Sequence, residues 1–242
     1  MTDTLRQSRS PLYLQIAEIL RQDLDRGVWL EGDFLPTVSE LSAKYSVAKI
    51  TVRQAVKILD EEGLLKARRG HGTSVLPKPP VRDRLVLGTH LSTLTDLYRG
   101  DKPTLKLLED RLANIPSKPL IGNLSKDGYQ LLKRTHSRND EVYCVISIYF
   151  EKQLFKRHEA KFRTQLALPV LLDSCDIDLA HARQSLIIGK CDYNTAGLLK
   201  LAVGDPVAKV QRVICDTEDQ VIYLADVIYR SDFVSLEMDL LA

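Results

Sequence analysis

The chain has 242 residues, 44% of them apolar and 27% charged, which suits two modest globular domains and excludes a disordered or fibrous polymer. Its 34 basic and 32 acidic side chains leave a net charge of +2, so overall charge neither demands nor excludes a polyanionic partner, and local distribution has to decide. Met1–Ser10 lacks the apolar stretch of a secretory leader and no long apolar run follows, so the sequence predicts a cytoplasmic protein with no membrane span.

The first periodic segment, Leu12, Ile16, Ile19, Leu20 and Leu24, reads as an amphipathic helix that stops at Gly27. Past Gly32 and Pro36, the spacing Thr37-Val-Ser-Glu40 matches a capping box, which predicts a short second helix to about Tyr45. Ser46 and Val47 make a brief connection. Ile50, Val52, Ala55, Val56 and Leu59 then give helical spacing again, ending at Gly63. Two helices joined by so short a turn form a helix-turn-helix, whose second helix enters the major groove of DNA. Leu64–Val75 has strand-like ends around a Gly70–Gly72 turn with a basic tip, the pattern of a wing. Pro77, Pro79 and Pro80 then suit a stiff linker.

From about Arg84 strands mix with helices. Gln130–Leu132, Tyr143–Phe150, Val207–Ile214 and Val221–Tyr229 are β-rich, with Asn139-Asp140 and Glu218-Asp219 as turns between strand pairs. Leu166–Leu172 and Tyr193–Leu201 read as helices. The expected fold is α+β with an antiparallel sheet rather than a βαβ series. Residues 1–76 are assigned to the winged helix-turn-helix, 77–83 to the linker and 84–242 to a second domain.

Between residues 44 and 73, Lys44, Lys49, Arg53, Lys57, Lys66, Arg68 and Arg69 outweigh Asp60, Glu61 and Glu62 by four charges. Lys49, Arg53 and Lys57 recur at i, i+4 and i+8 beside Thr51. Alone, such a stripe is more often a solvated helix face; on the second helix of a helix-turn-helix it is a surface for phosphates and base edges, with Arg53 the candidate for base reading. Arg68, Arg69 and Gly70 are the wing candidates, since glycine lets the backbone approach the duplex closely. Cys144, Cys175, Cys191 and Cys215 lie far apart without a Cys-x-x-Cys pair, and His71, His90, His158 and His181 have no ligand or triad spacing. The expectation is free thiols, no metal, no cofactor and no catalytic constellation; Asp173, Asp176 and Asp178 read as a solvated loop.

Pro11-Leu-Tyr-Leu-Gln-Ile16, Leu35-Pro36, Glu40-Leu41, Thr51-Val-Arg-Gln-Ala55, Glu61-Glu-Gly-Leu-Leu65 and Arg69-Gly-His-Gly-Thr73 resemble the GntR regulators. The longer C-terminal half, with Tyr229-Arg230-Ser231-Asp232 near its end, resembles the HutC-subfamily effector domain, called UTRA, which has a chorismate-lyase-like fold. The resemblance implies a homodimeric repressor that binds double-stranded operator DNA and is released by a small anionic metabolite. An arginine usual in the second helix falls here at Ser39, a second at the start of the recognition helix is Lys49, and the serine before it is Ala48. Lysine cannot make the planar two-bond contact of arginine, so these departures imply an altered operator or weaker binding. By the same resemblance Arg134 and His136 occupy positions where relatives carry two arginines that hold an anionic ligand, while a glutamate of the next strand is Ile146. Tyr229, Thr93 and Arg183 complete the effector candidates. The rival readings are a regulator with decayed DNA affinity that acts through a protein partner, and a lyase-like enzyme; fold alone does not transfer activity.

Overall fold

The structure is a computed structural model that describes residues 10–68, 70–77, 84–88, 91, 102–116, 118–174 and 177–238. It divides into two compact units, Met1–Val81 and Arg82–Ala242.

In the first unit, α1 (Leu12–Asp25), α2 (Val38–Tyr45) and α3 (Lys49–Glu61) precede an antiparallel hairpin of β1 (Leu65–Arg68) and β2 (Gly72–Val75). The apolar stripes of the three helices meet in one core, in which Ile16, Leu20, Leu41, Val52, Leu59 and Leu65 are buried. The Thr37 hydroxyl accepts from the Glu40 amide and the Glu40 carboxylate accepts from the Thr37 amide at 2.7 Å, so the capping box is complete. The turn into α3 is tight: Ser46 adopts a left-handed backbone at φ 53°, and the Ser42 hydroxyl donates to the Val47 carbonyl at 2.6 Å. Ala48 stands at the N-cap of α3 and brings no side-chain acceptor.

The acidic cluster at the end of α3 serves this scaffold. Glu62 accepts from Arg21 of α1 at 2.6 Å, and Asp60 accepts from the Ala67 amide of β1 at 3.1 Å. Both carboxylates are thereby held on the scaffold.

In the second unit, β4 (Thr104–Ala113), β5 (Tyr129–Arg138), β6 (Glu141–Glu151), β7 (Leu179–Lys190), β8 (Pro206–Asp216) and β9 (Val221–Arg230) form one antiparallel sheet in the order β4-β5-β6-β9-β8-β7. Asn139 and Asp140, at φ 49° and 62°, close the β5–β6 hairpin in two residues; these are residue types that tolerate the left-handed region. A separate parallel pair joins β3 (Leu85–Leu87) to β10 (Val234–Leu236). The central strands β5, β6, β8 and β9 are largely buried on both faces, whereas β4 and β7 form the edges.

One face carries α4 (Lys152–Thr164) and α5 (Ala167–Ser174). Phe150 of the sheet lies 4.1 Å, centroid to centroid, from Phe162 of α4. The buried Glu151 carboxylate starts α4 by accepting from the Gln153 and Leu154 amides at 2.9 and 2.8 Å. The other face buries Tyr129, Leu131, Tyr149 and Leu224, and α6 (Tyr193–Leu199) packs there against Val145 and Val207. Among the described residues no helix is long and apolar enough to cross a membrane, and no group of His, Cys, Asp and Glu side chains is arranged to hold a metal ion.

Candidate nucleic-acid interface and ligand cavity

On α3 the apolar stripe faces inward, which turns Lys49 and Arg53 to solvent and leaves Thr51 half-buried between them. Lys57 is exposed as well, but its ammonium lies 3.6 Å from the Glu61 carboxylate one turn on. Ser39 is exposed in the first turn of α2. On the wing, Arg68 is exposed at the end of β1, and Gly70 in the turn has φ +80°, where a side chain would be strained. Arg69 lies outside the described residues. Lys44, counted in the local basic excess, sits instead over the rings of Trp29 and Tyr45 at 5.7 and 5.1 Å. With Glu62 and Asp60 engaged by the scaffold, Lys49, Arg53 and Arg68 are exposed cations suited to phosphates and to guanine edges.

The second site is a cavity on the α4–α5 face of the sheet, with an empty volume of about 360 Å³ including its mouth. Sheet register assembles it. One row across the strands runs His136, Cys144, Tyr229; the next runs Arg134, Ile146, Val227; a third runs Leu132, Ile148, Ala225, Arg212. Leu166, Ala167, Leu168 and Pro169, at the start of α5, close it from above.

Arg134 is 1% exposed. Its Nη1 donates to the carbonyls of Phe162 and Gln165, both at 3.0 Å, at the end of α4. Its Nε and Nη2 are buried with no hydrogen-bond partner. Burial pushes this guanidinium below its ordinary pKa, but arginine remains cationic at any physiological pH. His136, two residues along the same face, is also buried with Nε2 unpartnered. Desolvation, reinforced by the charge of Arg134, pushes its imidazole down to about 3, so it is neutral. The described residues that line the cavity include no carboxylate.

Tyr229 lines the cavity with Arg134 and His136, so the structure gathers these three effector candidates. Arg183 is exposed on β7, at the strand position next to the inward-reaching Gln184, and it does not join them. Thr93 lies outside the described residues. Sequence reading passed over Arg212, whose Nε and Nη2 both donate to Gln184 Oε1 at 3.0 and 2.6 Å. A signal was present: a single arginine inside the apolar run of β8 belongs to a buried strand. Tyr143, stacked on Phe233 at 5.9 Å, is a further lining residue it did not select.

Comparison with known proteins adds independent findings. The family model of bacterial regulatory proteins of the gntR family matches residues 12–75, and that of the UTRA domain matches residues 99–235. The chain is 27% identical to the uncharacterized HTH-type transcriptional regulator YurK of Bacillus subtilis, over 89% of this chain and 90% of that one. It is 25% identical to the probable fructoselysine utilization operon transcriptional repressor of Escherichia coli, covering 99% and 98% of the two chains. With the HTH-type transcriptional repressor NagR of Bacillus subtilis it shares 24% identity over 94% and 93%. The fold is that of the possible transcriptional regulator YydK of Bacillus subtilis, with a TM-score of 0.54 at 19% identity over 94% of this chain and 98% of the other. PhnF of Mycobacterium smegmatis, at 22% identity over 93% and 99%, gives a TM-score of 0.50.

Proposed function

Because the chain belongs to the gntR family of bacterial regulatory proteins and carries their UTRA domain, we propose that it is an operator-binding repressor released by a small anionic metabolite. We assign residues 1–76 to the DNA-binding head, 77–83 to a linker and 84–242 to the effector domain. The protein acts as a homodimer, in which two heads read half-sites whose spacing the effector domains control. Lys49, Thr51, Arg53, Lys57, Ser39 and the wing residues Arg68, Arg69 and Gly70 meet the duplex. Arg134, His136 and Tyr229 receive the effector. Thr93 is a further effector contact, whereas Arg183, exposed on β7, is not assigned to the site.

The observation that carries the reading is Arg134. A guanidinium costs stability when it is taken from water without a counter-charge, and here two unpartnered guanidinium nitrogens belong to a residue that lines a cavity whose described lining has no acid. An anion that enters satisfies those nitrogens. Because Nη1 of the same guanidinium holds the end of α4, ligand occupancy is felt at the α4–α5 junction.

The test is fluorescence anisotropy of full-length protein on DNA from upstream of its own gene, in a salt series and with pools of anionic metabolites. Affinity that falls with salt and is relieved by one pool supports the reading. No binding at any salt would move the assignment to a module that senses a metabolite and acts through a protein partner.

A further inference from the structure

Resting on the effector reading, we propose that Gln184 is the positioning residue through which occupancy of the cavity is felt at β3, the strand that follows the linker from the DNA-binding head.

Gln184 is a half-buried residue of the edge strand β7 and stands in register with Arg212 of β8. Its side chain is engaged at both ends. Oε1 accepts from Nε and Nη2 of Arg212 at 3.0 and 2.6 Å, and Nε2 donates at 3.3 Å to the carbonyl of Gly88, directly after β3. Arginine brings only donors and a carbonyl only accepts, so the amide fits this place in one orientation, and each partner fixes it for the other.

Arg212 is 2% exposed and lines the cavity together with Arg134. Its side-on edge, the pair of N–H groups that matches two oxygens of an anion, meets a single neutral amide oxygen. An anion offers that edge a second oxygen and a counter-charge, so one that enters draws the guanidinium away from Gln184. The amide then loses the partner that turns Nε2 toward Gly88.

At the far end, Leu85 and Leu87 of β3 are buried in the same core as Tyr143, Ile146 and Tyr229 of the cavity lining. Among the described residues β3 pairs with β10 alone. Phe233, directly before β10, stacks on Tyr143 at 5.9 Å. The pair is therefore tied to the cavity by a polar contact at Gly88 and by an aromatic one at Phe233. Two strands outside the main sheet have little of their own to hold them, so a lost tether shows there first.

The experiment is hydrogen exchange of the full-length protein, with β3 and β10 read against the central strands β6 and β9. Gln184→Leu is expected to speed exchange in β3 roughly threefold to tenfold, the effect of losing about one hydrogen bond. Arg212→Met removes only the cavity end of the chain of contacts, yet it should give the same increase, and the double variant no more than either. An Arg212→Met variant whose β3 exchanges as in the parent overturns the proposal, and so do effects that add in the double variant.

A second readout separates positioning from mere support. Operator affinity is measured without and with a pool of sugar phosphates or a pool of organic acids, and Tm is measured with the same pools. In Gln184→Leu the pool that releases DNA from the parent should still raise Tm, while the ratio of affinities without and with it falls toward one. A residue that only supported the cavity would lose both responses. Release from the variant as complete as from the parent overturns the role of Gln184 and leaves the effector reading standing; pools that neither stabilise nor release the parent overturn both.

Discussion

Arg134 on β5 and Ile146 on β6 are register partners across the sheet, so a guanidinium that is 1% exposed faces a hydrocarbon where a carboxylate would neutralise it. Sheet residues directly opposite each other have side chains close enough to interact, and this pair gains nothing electrostatic. The arrangement is poor for stability and good for receiving an anion.

The first prediction separates those two roles. Arg134→Met removes a buried charge that no acid among the described cavity residues offsets, and such replacements by hydrophobes of similar volume are often neutral or stabilising. It also takes one donor from the Phe162 and Gln165 carbonyls, which costs about 1–2 kcal/mol. Chemical denaturation should therefore find stability within about 2 kcal/mol of the parent, while release of DNA by the effector is lost. A collapse of stability well beyond that would make Arg134 a structural residue.

The second prediction concerns acid. His136 titrates near 3 in the folded protein and near 6.5 when unfolded, because desolvation and the charge of Arg134 both disfavour the imidazolium. With the folded pKa depressed, the unfolded chain binds the proton first, so stability is complete above about pH 6.5 and is lost as pH falls from there toward 3. One unit is worth 1.36 kcal/mol, which puts the full loss on the order of 5 kcal/mol. Urea titrations of the parent and of His136→Gln, compared between pH 7 and pH 4, should show a flatter dependence for the variant; parallel curves would place the imidazole in water.

The third prediction restores a cap. Ala48 has the extended backbone of an N-cap residue at φ −63° and ψ 145°, yet offers no acceptor to the first turn of α3. Ala48→Ser supplies a hydroxyl oxygen there and should add about 1 kcal/mol. Trp29, the single tryptophan, packs against the core of the same unit, so its fluorescence reports that unit's unfolding. An unchanged midpoint would mean that the amides of that turn are already satisfied.

What the sequence made legible follows from where the information lies. Helix stripes, the Thr37–Glu40 box and the stops at Gly27 and Gly63 are local signals, and all appear in the first unit as read. In the second unit the strands at the centre of the sheet announced themselves by β-branched apolar runs. The edge strands β4 and β7 did not, since exposed residues crowd them and Thr104–Ala113 carries charges that break any alternation. α4 was missed for a related reason: only Leu154, Phe155 and Phe162 face the core in a strongly charged segment. Arg134 and His136 could be placed on one face because a strand alternates with period two. Arg212 could not be joined to them, because that requires register across four strands, and register is not written in any one of them.

The fourth prediction tests the DNA face by charge and by geometry. Lys49 and Arg53 are exposed on α3, and Lys57 is exposed beside Glu61. If Arg53 reads a base, Arg53→Ala should cost about 1–3 kcal/mol on the operator and relax preference at one position, whereas a phosphate contact weakens every sequence alike. Lys49→Ala, if the lysine neutralises one phosphate, should lower the slope of log affinity against log salt by about one. Lys57→Ala should lower it less, because that ammonium already has a carboxylate 3.6 Å away to screen it. Anisotropy titrations across a salt series, on operator and on unrelated DNA, read all three. Equal slopes for the parent and the Lys49 variant would remove α3 from the phosphate backbone, and unchanged operator preference in the Arg53 variant would move base reading to another residue.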